Sequence, residues 1–558
     1  MFKRNIILFA VAAGFLFATA VECFADAAAD LRRAKVCTTK GYLKEAEVIC
    51  KSVIANYPGR DALKAREQLA ITYILAGRTQ QAKENVEILT KELAGSEDLS
   101  AALYWIARTY RMKGYAEQAV NLYQQIISQD PNSRYAKKAQ LDIPRTNVYA
   151  LLNLGKYGEA EAAIDKILND FSGYPELPET LYDIARQCKH KGRYEKAKML
   201  YQYILEHYPG TSYGEMCPIQ VPKMDIWAKI ASGDFAGAQA ATDRFITDFT
   251  NDPELPDALH GIALRYEVKE IGRYEDAQNL YQRIIQLYPT SESADKSKID
   301  IDKCNIFSLM SSDDDSGVPA AVDKLMEDFK SKEYLVIVVC LDIAKRYYSM
   351  GLDCADANEA GSCLKKAAAI WEKALNQFTG YDSCTLGQAC YLSADCYSRI
   401  GDYSKAAQYY ERLVSDYPSD SRYCDALFKI GVTYEKMKQA GLIAEKQANV
   451  KIQAAYQQLV ETNPDYYGVK NALIKLGWLN FNKGQWAEAI RYWEQYVNKY
   501  PGETNLANLP DELYALGRAY EETNQTAKAI QTYQRLLSIL PNDDPRAIQV
   551  QTKLENLK

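Results

Sequence analysis

One phrase recurs along this chain and limits its possible folds more than any other feature. Gly114 is followed by Ala119, Tyr123 and Pro131, at five, nine and seventeen residues, and Gly192 by Ala197, Tyr201 and Pro209 at the same offsets. The series returns after Gly272, Gly401 and Gly484. Ala and the aromatic residue stand four apart, so they share one face of a helix running from just past the Gly to just before the Pro. The residues ahead of each Gly complete a unit. Leu103, Ala107 and Tyr110 correspond to Leu181, Ala185 and Cys188, and to Leu513, Gly517 and Tyr520 ahead of Asn524. Spacings of four and three place them on one side of a first helix. The small middle residue lets the two helices cross closely, and the aromatic residue fills the space beside the crossing. Gly in the turn supplies the left-handed conformation that ends a helix, for which Asn524 is the usual substitute.

Turns counted at Gly41, Gly77, Gly114, Gly155, Gly192, Gly233, Gly272, Ser312, Gly351, Gly401, Gly441, Gly484 and Asn524 give about thirteen hairpins. A single core saturates near ~250–300 residues, so a chain of 558 needs either several domains or such an array. The pattern resembles the tetratricopeptide repeat. That resemblance implies an all-α, right-handed superhelical solenoid of about 13 hairpins whose role is to bind other macromolecules. Two departures qualify it. Spacings of 36 to 43 residues are common here, against about 34 in the family. A two-unit superperiod also runs through the chain: Leu177-Pro178-Glu179 returns 78 residues later as Leu255-Pro256-Asp257, and Ile143-Pro144 as Val221-Pro222. Duplication of a repeat pair explains it. The second helices end on Tyr-Pro at Tyr57, Tyr208, Tyr288, Tyr417 and Tyr500. In this the chain resembles the envelope branch of the superfamily, with its BamD-type outer-membrane assembly lipoproteins and CpoB-type coordinators of envelope constriction.

Residues 1–25 read as a secretory signal peptide: Lys3 and Arg4 start it, Ile6 to Ala20 form an apolar stretch, and cleavage is expected near Ala25 or Ala27. Cys23 invites a lipoprotein reading, but Glu22 stands where such signals want a small residue. The rest divides into an N-terminal array over 26–310, a degenerate and inserted region over 311–364, and a C-terminal array over 365–558. Cleavage removes Lys3, Arg4 and Glu22, moving the formal charge from -6 to -7. A mildly acidic balance of mixed sign argues against wrapping nucleic acid, which needs a basic stripe. Export permits disulfides, with Cys37–Cys50 and Cys354–Cys363 the best-placed pairs.

Catalytic signatures are missing. His190, His207 and His260 fall in separate hairpins, and no HExxH, GxSxG or glycine-rich phosphate loop occurs. Asp313-Asp314-Asp315 lacks the alternating ligands and terminal Glu of a calcium loop. The repeats continue to about Leu540, which leaves no room for a separate catalytic domain, and no cofactor or metal is implied. The expected function is therefore a non-catalytic, exported scaffold that binds envelope proteins or peptides, with cell-wall or exported polysaccharide as the alternative ligand.

The first helices of such hairpins line the inner surface, so positions ten and six residues before the turn Gly are the expected groove. They hold Tyr104 and Arg108, Tyr182 and Arg186, and Tyr514 and Arg518, with His260, Lys345, Tyr391 and Trp478 at equivalent places. An aromatic plate beside a guanidinium fork suits carboxylates, peptide backbone or a sugar face. Within the cluster Trp478, Trp486, Tyr492, Trp493 and Tyr496, Trp493 takes the core position and Trp478 has the better claim to exposure.

Overall fold

The computed structural model describes residues 27–39, 41–312, 314–378, 383–500, 509–540 and 544–557. The expected signal peptide, Asp313 and Pro501 lie outside the described residues. Among the described residues there are 27 α-helices and no strand. They alternate as first and second helices of thirteen hairpins: α1 (Ala27–Thr39) and α2 (Leu43–Asn56), α3 (Arg60–Leu75) and α4 (Thr79–Glu92), α5 (Glu97–Met112) and α6 (Ala116–Gln129), α7 (Arg134–Asn153) and α8 (Tyr157–Asp170). Next come α9 (Leu177–His190) and α10 (Tyr194–His207), α11 (Ser212–Ser232) and α12 (Phe235–Asp248), α13 (Leu255–Tyr266) and α14 (Tyr274–Leu287), α15 (Glu292–Met310) and α16 (Val318–Asp328). The series closes with α17 (Glu333–Asp353) and α18 (Ala357–Gln377), α19 (Ser383–Arg399) and α20 (Tyr403–Asp416), α21 (Tyr423–Gln439) and α22 (Glu445–Thr462), α23 (Val469–Phe481) and α24 (Trp486–Lys499), and α25 (Leu509–Glu522) and α26 (Thr526–Ile539), followed by α27 (Pro545–Leu557). The described residues form two compact units, divided between Glu215 and Met216.

The turn glycines behave as their spacing predicts. Ten of them hold φ between 63° and 84°, and Asn524 takes φ 56° in the same role. Tyr57, Tyr208, Tyr288, Tyr417 and Tyr500 each cap the C-terminus of a second helix, and the proline after each, Pro501 among them in sequence, cannot extend it. Gly351 departs from the expectation. It lies inside α17, and the turn falls at Cys354 to Asp356, where the Asp356 carboxylate accepts from the amides of Asn358 and Glu359 and starts α18. The stretch from Asp353 to Leu364, at the end of the region expected to be degenerate and inserted, belongs mostly to this longer helix of 21 residues. The four candidate disulfide cysteines, Cys37, Cys50, Cys354 and Cys363, stand as free thiols. The Cys354 thiol is engaged by the Glu359 carboxylate, 3.5 Å away, and by the Asp356 carbonyl.

Each hairpin closes around the small-residue crossing. The aromatic residues nine past the turn, Tyr123, Tyr201, Tyr281, Tyr410, Trp493 and Tyr533, are all at most 1% exposed. Opposite them stand Ala107, Ala185 and Ala263, all fully buried, or Gly477 and Gly517. A Cβ on Gly477 would lie 2.2 Å from the ring of Trp493, and one on Gly517 2.4 Å from that of Tyr533, both far inside contact distance.

Consecutive hairpins are joined by a second recurring device. A tyrosine near the end of a first helix donates its phenol proton to a carboxylate on the preceding hairpin, or in one case the turn before it. A Lys or Arg from the following second helix or its entry then pairs with that carboxylate and sits over the tyrosine ring. Tyr397 donates to Glu372 at 2.6 Å, while Lys405 reaches the same oxygen at 3.4 Å and lies 4.6 Å from the ring centre. Glu411, Tyr434 and Lys451 repeat the arrangement, as do Glu494, Tyr520 and Lys528, Glu47, Tyr73 and Arg78, and Asp315, Tyr347 and Lys366. Burial alone would raise the Glu47 carboxyl, but Arg78 and Lys51 together hold it below its usual value. Glu494 is held low by the Tyr520 hydroxyl and then by Lys528.

Three outcomes test this packing. Gly477→Ala forces Trp493 to move and should cost about 1–3 kcal/mol in denaturant unfolding. Tyr410 has a buried hydroxyl with no hydrogen-bond partner among the described residues, whereas the Tyr533 hydroxyl donates to Glu521. Tyr410→Phe should therefore leave stability within about 0.5 kcal/mol of the parent, while Tyr533→Phe loses about 1 kcal/mol. Because the folded carboxyls of Glu47 and Glu494 titrate below their unfolded values, their contribution is present above about pH 4.5 and lost as the pH falls through the folded value. The Glu47→Gln, Glu494→Gln chain should accordingly show a shallower fall in melting temperature between pH 5 and pH 3 than the parent, a pH window of about two units.

Candidate functional site

The positions expected to line a groove separate into two kinds. Tyr104 and Tyr182 are 5% and 7% exposed, so neither lines an open surface. Tyr104 packs between Tyr123 of its own second helix, 5.9 Å away, and Tyr135 of α7, 5.5 Å away. Tyr182 lies likewise between Tyr201 and Tyr213. The residue ten before the turn faces both the core aromatic and the next first helix, which is why a ring there is buried. Tyr391 and Tyr514 pack against Tyr410 and Tyr533 in the same way, and the Tyr391 hydroxyl donates to Asp425 of α21. Trp478 is half-buried against Trp493 and Phe481, with Nε1 donating to Glu512 at 3.4 Å.

The basic positions, six before the turn, do reach the surface. Arg108 lies 5.6 Å from the ring centre of Trp105 and pairs with Glu179 of α9 at 3.7 Å. Arg186 is exposed and pairs with Asp183 at 3.8 Å. Arg518 lies over Phe481, and Lys345 is half-buried on α17. His260 belongs instead to a buried charge network: its Nε2 meets Asp300 at 2.8 Å, and Asp300 and Glu267 hold Lys303 at 2.7 and 2.8 Å. Glu267 also accepts from the Tyr281 hydroxyl and the Cys304 thiol. Burial opposes the Lys303 charge, yet the two carboxylates keep it firmly protonated. Every charge in this network has a partner, which is the condition for keeping it inside.

Within residues 1–215 the first helices α5, α7 and α9 bring together a cluster that the ten-and-six rule had only begun to outline. Arg145 of α7 is buried, with Asp142 at 2.6 Å and Asp183 at 3.5 Å; burial works against its charge, but these carboxylates and neighbouring phenols keep it above its usual value. Arg111 of α5 is 5% exposed and lies 5.4 Å from the ring centre of Tyr149. Its guanidinium is buried beside the Tyr123 hydroxyl, with which it interacts. Burial pushes the Tyr149 phenol up to about 12, keeping it neutral beneath that guanidinium. Trp105 stands 45% exposed at the rim. The cluster thus sets Arg108, Arg111, Arg145 and Arg186 against Asp142, Glu179 and Asp183, leaving one positive charge in excess. Arg111 is three residues before the turn, on the same stripe as Tyr104 and Arg108, so extending that stripe by one helical turn would have found it. Arg145 had no such signal, since it follows Pro144 inside α7.

The Cys304 thiol stands beside the Glu267 carboxylate, but it is fully buried, and burial above all holds it protonated. Burial pushes the thiols of Cys217, Cys340, Cys390 and Cys396 up to about 12, and that of Cys188 up to about 11, leaving them inert at neutral pH. Among the described residues no group of three or more His, Cys, Asp or Glu is placed to hold a metal ion, and no helix is long and apolar enough to cross a membrane.

Comparison with known proteins agrees with the hairpin geometry. Two tetratricopeptide-repeat family profiles match, one over residues 101–133, 257–291, 388–420 and 471–502, the other over 510–543. No curated protein sequence matches the chain. Similar solved structures include YrrB, described as a TPR protein with an unusual peptide-binding site, at 21% identity over 40% of this chain and 94% of that one, with a TM-score of 0.26. A thermophilic TPR protein of Thermus thermophilus aligns at 17% identity over 38% and 98%, TM-score 0.20. The C-terminal part of a TPR repeat-containing protein from Cytophaga hutchinsonii aligns at 16% over 48% and 98%, TM-score 0.28. With five matched segments in register with the hairpins described above, the chain belongs to the tetratricopeptide-repeat superfamily.

Proposed function

We propose that this chain is an exported tetratricopeptide-repeat scaffold of the cell envelope, which holds protein partners against the first-helix face of residues 97–190. The observation that carries the reading is the open rim of that face, where Trp105 stands 45% exposed with Arg108 beside its ring. Trp105 and Arg108 at the rim supply the aromatic and charged contacts that concentrate binding energy at interfaces. Export is supported by the charged and apolar start, Lys3 to Ala20, and an envelope location by the Tyr-Pro helix ends that resemble BamD-type and CpoB-type proteins.

The test is capture of partners from envelope extracts by the purified chain and by an Arg108→Ala, Arg186→Ala variant. The variant should retain the parent's helicity and melting temperature and lose at least about fivefold in partner affinity, the value of roughly 1 kcal/mol of charged hydrogen bonding. Unfolding of the variant would make the arginines structural, and unchanged capture would remove the face from the account.

A further inference from the structure

Tyrosine hydroxyls donate to carboxylates all along the stack, and the chain almost always sets a cation beside them. Nine such carboxylates, from Glu47 to Glu521, each pair with a Lys or Arg as well, and at eight of the nine a lysine is among the partners. Asp425 of α21 breaks the pattern. It accepts from Tyr391 of α19 and from Tyr466 and Tyr467 in the turn before α23, the last at 2.8 Å, yet it pairs with no Lys or Arg among the described residues. Lys429, one turn along α21, forms no ion pair with it. Asp425 stands in the first turn of α21, which offers only a partial positive charge. Burial, and after it the bond to Asp425, holds the phenols of Tyr391 and Tyr466 well above their usual range. Neutral donors therefore satisfy the carboxylate oxygens without balancing their charge. The rings are open too. In completed trios Lys405 and Lys528 lie 4.6 and 5.3 Å from the ring centres of Tyr397 and Tyr520. No cation lies over Tyr466 or Tyr467 among the described residues, and Tyr467 is 71% exposed, held edge to face by Phe428 at 5.7 Å.

We propose that Asp425, Tyr466 and Tyr467 bind a lysine side chain of a partner polypeptide, which supplies the cation this junction lacks. The ammonium donates to the carboxylate, and the butyl stem lies along the exposed face of Tyr467. A phenol that donates to a carboxylate gains electron density, which strengthens the attraction of its ring for a cation. An anion would meet an uncompensated carboxylate, and a neutral group would leave that charge as it is. Lysine rather than arginine is the expected residue because the chain itself fills the same role with lysine far more often. The site shares no residue with the Trp105 and Arg108 face, so the two readings stand or fall separately.

Ligand-observed saturation-transfer NMR on the full chain tests the inference with Nα-acetyl-lysine methylamide, set against the norleucine and arginine methylamides. The lysine amide should saturate in the millimolar range, and the norleucine amide, which has a similar stem and no charge, should bind about tenfold more weakly. Asp425→Asn should weaken the lysine amide about tenfold. Tyr467→Ala removes an exposed ring, so it should keep the parent's melting temperature and weaken the lysine amide about fivefold. Lys429→Met should bind at least as well as the parent, and Arg108→Ala, Arg186→Ala like the parent. The inference is overturned if the lysine amide shows no saturable signal up to about 20 mM, if the norleucine amide binds equally, if the folded Tyr467→Ala chain binds unchanged, or if the arginine amide binds more tightly than the lysine amide.

Discussion

Everything in this chain depends on how closely the two helices of a hairpin can cross. At the crossing a fully buried Ala, or a Gly with no side chain at all, faces an aromatic ring that is likewise removed from water. Interiors of this density tolerate neither an added methyl nor a missing ring without loss, so the pair sets the distance between the helices and hence the register of all later contacts. With Gly opposite Trp493 and Tyr533, and Ala opposite Tyr123, Tyr201 and Tyr281, the same geometry is reached by two combinations of sizes.

Neighbouring hairpins are held by polar contacts as well as by packing. The tyrosine, carboxylate and cation trios recur at five junctions, and in each the phenol is the central member: it neutralises part of the carboxylate's demand and offers its face to the cation. The best-shielded case is Glu47 with Arg78, whose side chains are 14% and 11% exposed; Glu494 and Lys528 are far more open and are screened accordingly. The first helices use their own connections along the other side, as where Arg145 meets Asp183 and Tyr391 meets Asp425.

The repeat itself was legible from residue spacing, since turn glycines, core aromatics and Tyr-Pro ends obey fixed offsets that local geometry imposes. Gly351 was misread because a glycine required for close packing against Leu364 looks the same in sequence as one required for a turn. Tyr104 and Tyr182 were misplaced for a related reason: helical periodicity assigns a face, but whether that face meets solvent is decided by the next hairpin, whose Tyr135 and Tyr213 cover them. Arg145 and the network around Lys303 depend on residues from neighbouring hairpins, and no spacing rule joins positions brought together only by stacking.

The central claim is that the first-helix face of residues 97–190, rather than the outer helices, meets protein partners. It is tested most directly by placing a photo-crosslinking amino acid at Trp105 in one chain and at Met199 in another, then irradiating each in the living source cell. Met199 is 59% exposed on α10 of the same unit and serves as the outer-surface control. Protein adducts at position 105 with few at 199 are the predicted result. Equal labelling of the two, or adducts confined to 199, would contradict the account.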